Sequence, residues 1–149
     1  MPLIVTSLAS FSLALLSRLL IEALLTSRAS IIGEFIGLSF LENKGVAFGI
    51  ELPIVLQAVL IPAVFALVLY LAYQSRHHRF PSIGFGLIIG GALGNIVDRF
   101  DDGFVTDFIQ VGSFPTFNVA DSCITVGIGM LLLCELLAKK ETGVEAEGM

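Results

Sequence analysis

The chain has 149 residues, 56% of them hydrophobic and only 14% charged, with a formal net charge of −5. A soluble domain of this size needs a polar surface, which a mean hydropathy of +0.94 does not supply, and no basic patch speaks for nucleic acid. Long apolar runs are therefore read as membrane spans, each needing ~20 mostly apolar residues to cross ~30 Å of hydrocarbon.

The first run, LIVTSLASFSLALLSRLLIEALL, covers about 3–25. It lacks the basic flank of a secretory leader and is long enough to span, so it is read as a retained helix. A loop of about 26–53 follows. Within it EFIGLSF alternates in part, and GVAFGI comes after Glu42-Asn43-Lys44-Gly45, which reads as a turn between two short strands. The second span is about 54–73, and QSRHHRF joins it to a third span of about 80–100 that closes in LGNIVDRF. The next loop, about 101–118, opens with Asp101, Asp102 and Gly103 and continues as GFVTDFIQVG, apolar enough for a strand yet carrying Asp107. The fourth span, about 119–138, begins with VADSCITVG, and an acidic tail of about 141–149 reads as solvated and disordered. The expected fold is a single all-α polytopic membrane domain, 1–149. It has four transmembrane helices and a small sheet on the outer membrane surface, where strand pairing satisfies the backbone.

Lys and Arg in short loops set orientation. Arg76 and Arg79 lie between spans two and three, and Lys139 and Lys140 follow span four. Both termini and the Arg76–Arg79 loop are thus expected in the cytoplasm, with the other two loops outside. His77 and His78 extend the basic signal. Cys123 and Cys134, eleven residues apart in span four, lie near one helical face but too far apart along the axis to bridge. No cluster of ligands suggests a metal, and no cofactor is implied.

Polar residues gather at the outer ends of spans three and four. Asn95, Asp98 and Arg99 close one span, and Asn118, Asp121 and Ser122 open the next. In each group an Asn precedes an Asp by three residues, a spacing that shares a helical face. Asp107 lies in the loop between them. Singly, each has a plain explanation: Asp121 as a helix cap, Asp98 with Arg99 as an interfacial pair, Asp107 as the wet face of a strand. Together they are harder to dismiss, because ionisable groups at membrane depth are costly. Two adjacent carboxylates that cannot both ionise can divide acid and base work, as in aspartic proteases. Spacing alone favours Asp98 with Asp121, since both sit on helices.

NKGVAFG at Asn43 to Gly49, GGALGNIVDR at Gly90 to Arg99, GFVTDFI at Gly103 to Ile109 and FNVADSCITVG at Phe117 to Gly127 resemble, in order, the motifs of lipoprotein signal peptidase, or signal peptidase II. The resemblance implies a four-span membrane aspartic endopeptidase of the bacterial inner membrane with a small outer β-cradle. It implies prolipoprotein substrates, cut before a diacylglyceryl-modified cysteine, and a catalytic dyad of Asp107 and Asp121. It makes Asp98 a supporting residue beside Arg99. Asn43, Asn95, Arg99 and Asn118 match family positions that shape the site or contact substrate. Partners would be lipid-modified signal peptides and membrane lipids, and a monomer is favoured.

The chain departs from the family in span one, where an Asp is usually followed four residues later by a Lys. Here Arg18 and Glu22 keep the spacing with the signs exchanged. They read either as an ordinary intrahelical pair or as a swapped supporting pair. The rival readings are a non-catalytic four-span protein with a structural polar cluster and an inactive relative that still binds lipidated signal peptides.

Overall fold

In hydrocarbon only a helix satisfies its own backbone, so apolar runs of this length become helices. The computed structural model describes residues 1–46, 50 and 52–147. Its helices are α1, Pro2–Leu24; α2, Ile54–Ser75; α3, Arg79–Asp102; and α4, Val119–Glu147. Each has a stretch long and apolar enough to cross a membrane, ending in α4 at Lys139. Beyond it α4 stays helical through Glu147, where the sequence suggests a disordered tail. Lys, Glu and Ala are good helix formers, and a span already in place removes the cost of nucleation.

α3 is the central helix. Half of its most apolar stretch is buried within the protein, against 6% for α2, whose apolar surface is left for lipid. Small residues make this centrality possible. Gly86, Gly90 and Gly94 of α3 meet Thr6, Ser10 and Ala14 of α1, and a Cβ built on Gly90 would lie 1.9 Å from Ser10 Oγ. Such a seam of small residues lets two helices approach closely and fixes their register. Ser10 Oγ also donates across it to Gly86 O at 3.2 Å. On its other side α3 packs against α4, where a Cβ on Gly91 would come within 2.5 Å of Ala120 O. At the α2–α3 turn the buried Ser82 hydroxyl donates to Arg76 O at 3.2 Å and serves a carbonyl that the end of α2 leaves free.

The two remaining loops build a three-stranded antiparallel sheet in the order β1-β2-β3, from Ala29–Ile32, Ile36–Asn43 and Val105–Val111. The hairpin within the first loop turns at Gly33, whose φ of +52° suits glycine. β2 ends at Asn43, whose side chain accepts Gly45 N–H in a local turn. Of the expected GVAFGI strand, residues 47–49 lie outside the described residues, and Val46 N–H donates to Ile50 O at 3.0 Å. β3 follows α3 after Gly103, a left-handed cap with φ +82° whose N–H donates back to Arg99 O.

Candidate active site

β3 is supported along both edges. β2 pairs with one, placing Leu41 opposite Asp107 and Asn43 opposite Val105. Along the other, Thr106 N–H donates to Asp98 Oδ2 at 3.2 Å and Phe108 N–H to Phe117 O at 3.0 Å. Asp107 is consequently only 1% exposed, and a carboxylate so placed requires donors. It has two: Asn43 Nδ2 reaches Oδ2 at 2.8 Å, and Asn118 Nδ2 reaches Oδ1 at 2.9 Å. Asn43 lies diagonally across the β2–β3 ladder on the same face, within reach. Its own Oδ1 accepts Gly45 N–H at 2.9 Å, which turns its amide NH2 toward Asp107.

Asn118 and Asp121 open α4 with a reciprocal cap. Asp121 N–H donates to Asn118 Oδ1 at 2.9 Å, and Asn118 N–H donates to Asp121 Oδ2 at 3.3 Å. The plain reading of Asp121 as a helix cap is therefore correct, but it uses only one oxygen. The other, Oδ1, accepts Asn95 Nδ2 at 2.8 Å from α3. Asn118 Nδ2 also donates to Asn95 Oδ1 at 3.1 Å. One buried amide side chain thus touches Asp107, caps the helix at Asp121 and meets Asn95. Asn95 and Asp98 do not act as one face: the first reaches α4 and the second α1.

The expected Asp98–Arg99 pair is replaced by other contacts. Consecutive helical residues do not face each other. Asp98 turns to α1, where Arg18 Nη1 lies 3.1 Å from its Oδ1. Arg99 Nη2 donates to Gly45 O, tying the end of α3 to the chain just beyond β2. Arg18 and Glu22 do form the intrahelical pair, at 2.6 Å. It is part of something larger, because Arg18 Nη2 also contacts Asp101 Oδ2 at 3.0 Å and Asp102.

Burial pushes the Asp107 carboxyl up from its ordinary 3.8 to about 6. The charge of Asp121 adds to the rise, while the Asn43 and Asn118 amides and the Arg99 guanidinium hold it back. A carboxyl with this value exchanges its proton near neutral pH. The arrangement can therefore supply both a proton donor and a proton acceptor from one small region.

Asn43, Asn95, Asp107, Asn118 and Asp121 come together in one hydrogen-bonded group, with Arg99 close enough for its charge to act on Asp107. Asp98 stands behind the strand, bonded to the Thr106 amide. Two supports were not read from the sequence. Thr106 is one. Gln57 is the other: its Nε2 donates to Lys44 O at 3.2 Å and Leu52 O at 2.8 Å, holding both stems of the loop after β2. A lone amide near the start of an otherwise apolar span was the available signal for Gln57.

The family model for signal peptidase (SPase) II matches residues 6–137. The chain is 44% identical over 114 residues to the lipoprotein signal peptidase of Allorhizobium ampelinum, covering 72% of this chain and 70% of that one. It is 37% identical over 123 residues to the lipoprotein signal peptidase of Symbiobacterium thermophilum, covering 78% and 81%. A solved bacterial membrane enzyme, determined by the in meso method at 2.3 Å, superposes with a TM-score of 0.84 over 93% of this chain and 90% of that one. Its sequence is 24% identical, so that likeness concerns the fold. The chain belongs to the signal peptidase II family.

Proposed function

We propose that the protein is a membrane aspartic endopeptidase that removes signal peptides from diacylglyceryl-modified bacterial prolipoproteins, cutting before the lipidated cysteine. Asp107 and Asp121 form the dyad. The observation that carries this reading is Asn118, whose side-chain Nδ2 donates to the Asp107 carboxylate while its backbone N–H donates to the Asp121 carboxylate, so that one residue links the two. The names of the relatives supply the substrate class.

In this reading one carboxyl of the pair is protonated and the other ionised. The ionised one takes a proton from a water molecule as its oxygen attacks the scissile carbonyl carbon. The protonated one gives its proton to the carbonyl oxygen, and a tetrahedral diol forms. Collapse breaks the C–N bond. The nitrogen leaves with a proton from the dyad, a diol hydroxyl gives its proton back to the dyad so that the pair again shares one, and both diol oxygens stay in the new carboxyl of the signal peptide. Asn43, Asn95 and Asn118 hold the carboxylates without adding charge. Both termini and Arg76 lie in the cytoplasm, and the dyad works at the outer face, as the Lys and Arg bias implies.

The test is cleavage by the purified protein of a diacylated prolipoprotein and of the same precursor without lipid. Acyl chains contribute ~0.8 kcal/mol per buried methylene to membrane residence, which favours a lipid-dependent site in the bilayer plane. The lipidated precursor should be cut and the other not. Equal rates on both would contradict the substrate assignment.

A further inference from the structure

Arg18 is 5% exposed and forks among four carboxylates. Nε meets Glu22, Nη1 meets Asp98, and Nη2 meets Asp101 and Asp102. Its placement follows from the α1–α3 seam. Thr6 lies at Gly86, Ser10 at Gly90 and Ala14 at Gly94; one more step of four residues along both helices brings Arg18 to Asp98. Crowding along the seam leaves little freedom to slide, so the guanidinium is delivered to a fixed point.

Two of these carboxylates grip the same residue. Asp98 Oδ2 accepts the Thr106 N–H at 3.2 Å, and Glu22 Oε1 accepts the Thr106 hydroxyl at 3.4 Å. Thr106 is 1% exposed and is joined to Asp107 by one planar peptide unit. The Asp101 and Asp102 contacts hold the last turn of α3, from which the chain passes through Gly103 into β3. One guanidinium therefore fixes both the launch of the strand and its second residue.

We infer that Arg18 is a positioning residue for Asp107, acting through Asp98 and Glu22 on Thr106. This rests on the assignment of Asp107 to the cleavage chemistry above. Displacing a reacting group by about 1 Å costs on the order of 100-fold in rate, so a strut of this kind acts on turnover rather than on substrate binding. If Arg18 served only to neutralise buried acids, lysine would replace it. Lysine carries the same charge as a single point, without the fork that reaches Glu22, Asp98 and the last turn of α3 together.

The decisive variant is Arg18→Lys, with Thr106→Val as a second that leaves every charge in place. Each is purified in lipid nanodiscs and assayed for kcat and KM on the diacylated prolipoprotein, and the exchange of the β3 amides is followed by mass spectrometry. Arg18→Lys should fold, keep KM within about twofold and lose roughly 10- to 100-fold in kcat, with faster exchange across Thr106 to Phe108. Thr106→Val should show the same pattern more weakly, roughly threefold in kcat. Should Arg18→Lys fail to fold, Thr106→Val decides alone. Wild-type kcat in the folded variant, a loss carried by KM, or a kcat loss with unchanged β3 exchange would each overturn the inference. The exchange is read without cleavage. If the unaltered protein cuts nothing, the functional assignment fails, while a loosened β3 in Arg18→Lys still upholds the strut and an unchanged β3 removes it.

Discussion

On one side of β3, Asp107 and Asp121 are held by neutral amides from Asn43, Asn95 and Asn118. On the other, Glu22, Asp98, Asp101 and Asp102 are gathered by the Arg18 guanidinium. An amide donor can bond to a carboxyl oxygen whether or not the group carries a proton. A guanidinium contact draws its strength from the charge on its partner. Proton exchange therefore suits the amide-held pair, and mechanical support suits the arginine-held set. The strand between them carries one residue toward each, Asp107 and Thr106, because successive side chains alternate in direction.

The largest effect should come from breaking the arginine-held side. Arg18→Met leaves the buried Asp98 without its cation, and removing one partner of a buried pair costs ~3–5 kcal/mol. Arg18→Met with Asp98→Asn should recover part of that loss, whereas Arg18→Met with Glu22→Gln should recover less, because Glu22 is the more exposed partner. Thermal unfolding of the three proteins checks this; equal recovery by both double variants would contradict the central place of Asp98.

On the amide-held side, Asn118→Ala removes a donor to Asp107 and the cap of α4 together. Its expected cost is on the order of 100-fold in kcat, plus ~1 kcal/mol of stability from the lost cap. A kcat within a factor of about two of the unaltered protein would show that the bridge is not needed.

The pH response sharpens the contrast further. Because the folded-state Asp107 carboxyl is raised from 3.8 to about 6, the fold retains a proton that the unfolded chain has lost between those values. The stability this provides is full below about pH 4 and lost as pH rises through about 6. Asp107→Asn is spared that loss, so its stability relative to the unaltered protein should improve by on the order of 3 kcal/mol across the window. A pH-independent difference would mean that Asp107 is not held above its ordinary value. The variant also pays a fixed cost. Asn43 and Asn118 both present NH2 groups to position 107, so one of the new amide's ends faces a donor.

The smallest effect is expected at Gln57→Leu, which leaves Lys44 O and Leu52 O without this donor. A loss of about 1 kcal/mol is expected, with a smaller change in kcat than Asn118→Ala gives.

What could be read in the sequence was local. The four helices follow from apolar length, and the Asn118–Asp121 cap follows from a spacing of three residues. The proposed pairing of Asp107 with Asp121 did not follow from spacing, which favoured the two helix-borne residues Asp98 and Asp121; it came from motif resemblance. The pairing of Asp98 with Arg18 depends on how α1 slides against α3, which the seam of Gly86, Gly90 and Gly94 fixes only once the helices are packed. Asp98 and Arg99 could have been separated in advance, since adjacent helical residues point in different directions. The β1–β2 hairpin at Gly33 was not read from the sequence, where Asn43 and Gly45 were the stronger turn residues. They do form a local turn, but its purpose is to orient the Asn43 amide toward Asp107.

Cleavage of one diacylated prolipoprotein by three purified variants, Asp98→Asn, Asp107→Asn and Asp121→Asn, tests the division of labour most directly. Asp107→Asn and Asp121→Asn should each abolish turnover while remaining folded, and combining them should cost nothing more, because the pair acts as a unit. Asp98→Asn should be less stable yet keep residual cleavage. A folded Asp107→Asn protein that cuts at a near-normal rate, or an Asp98→Asn protein that is folded and inactive, would contradict the assignment of the dyad to the amide-held side of β3.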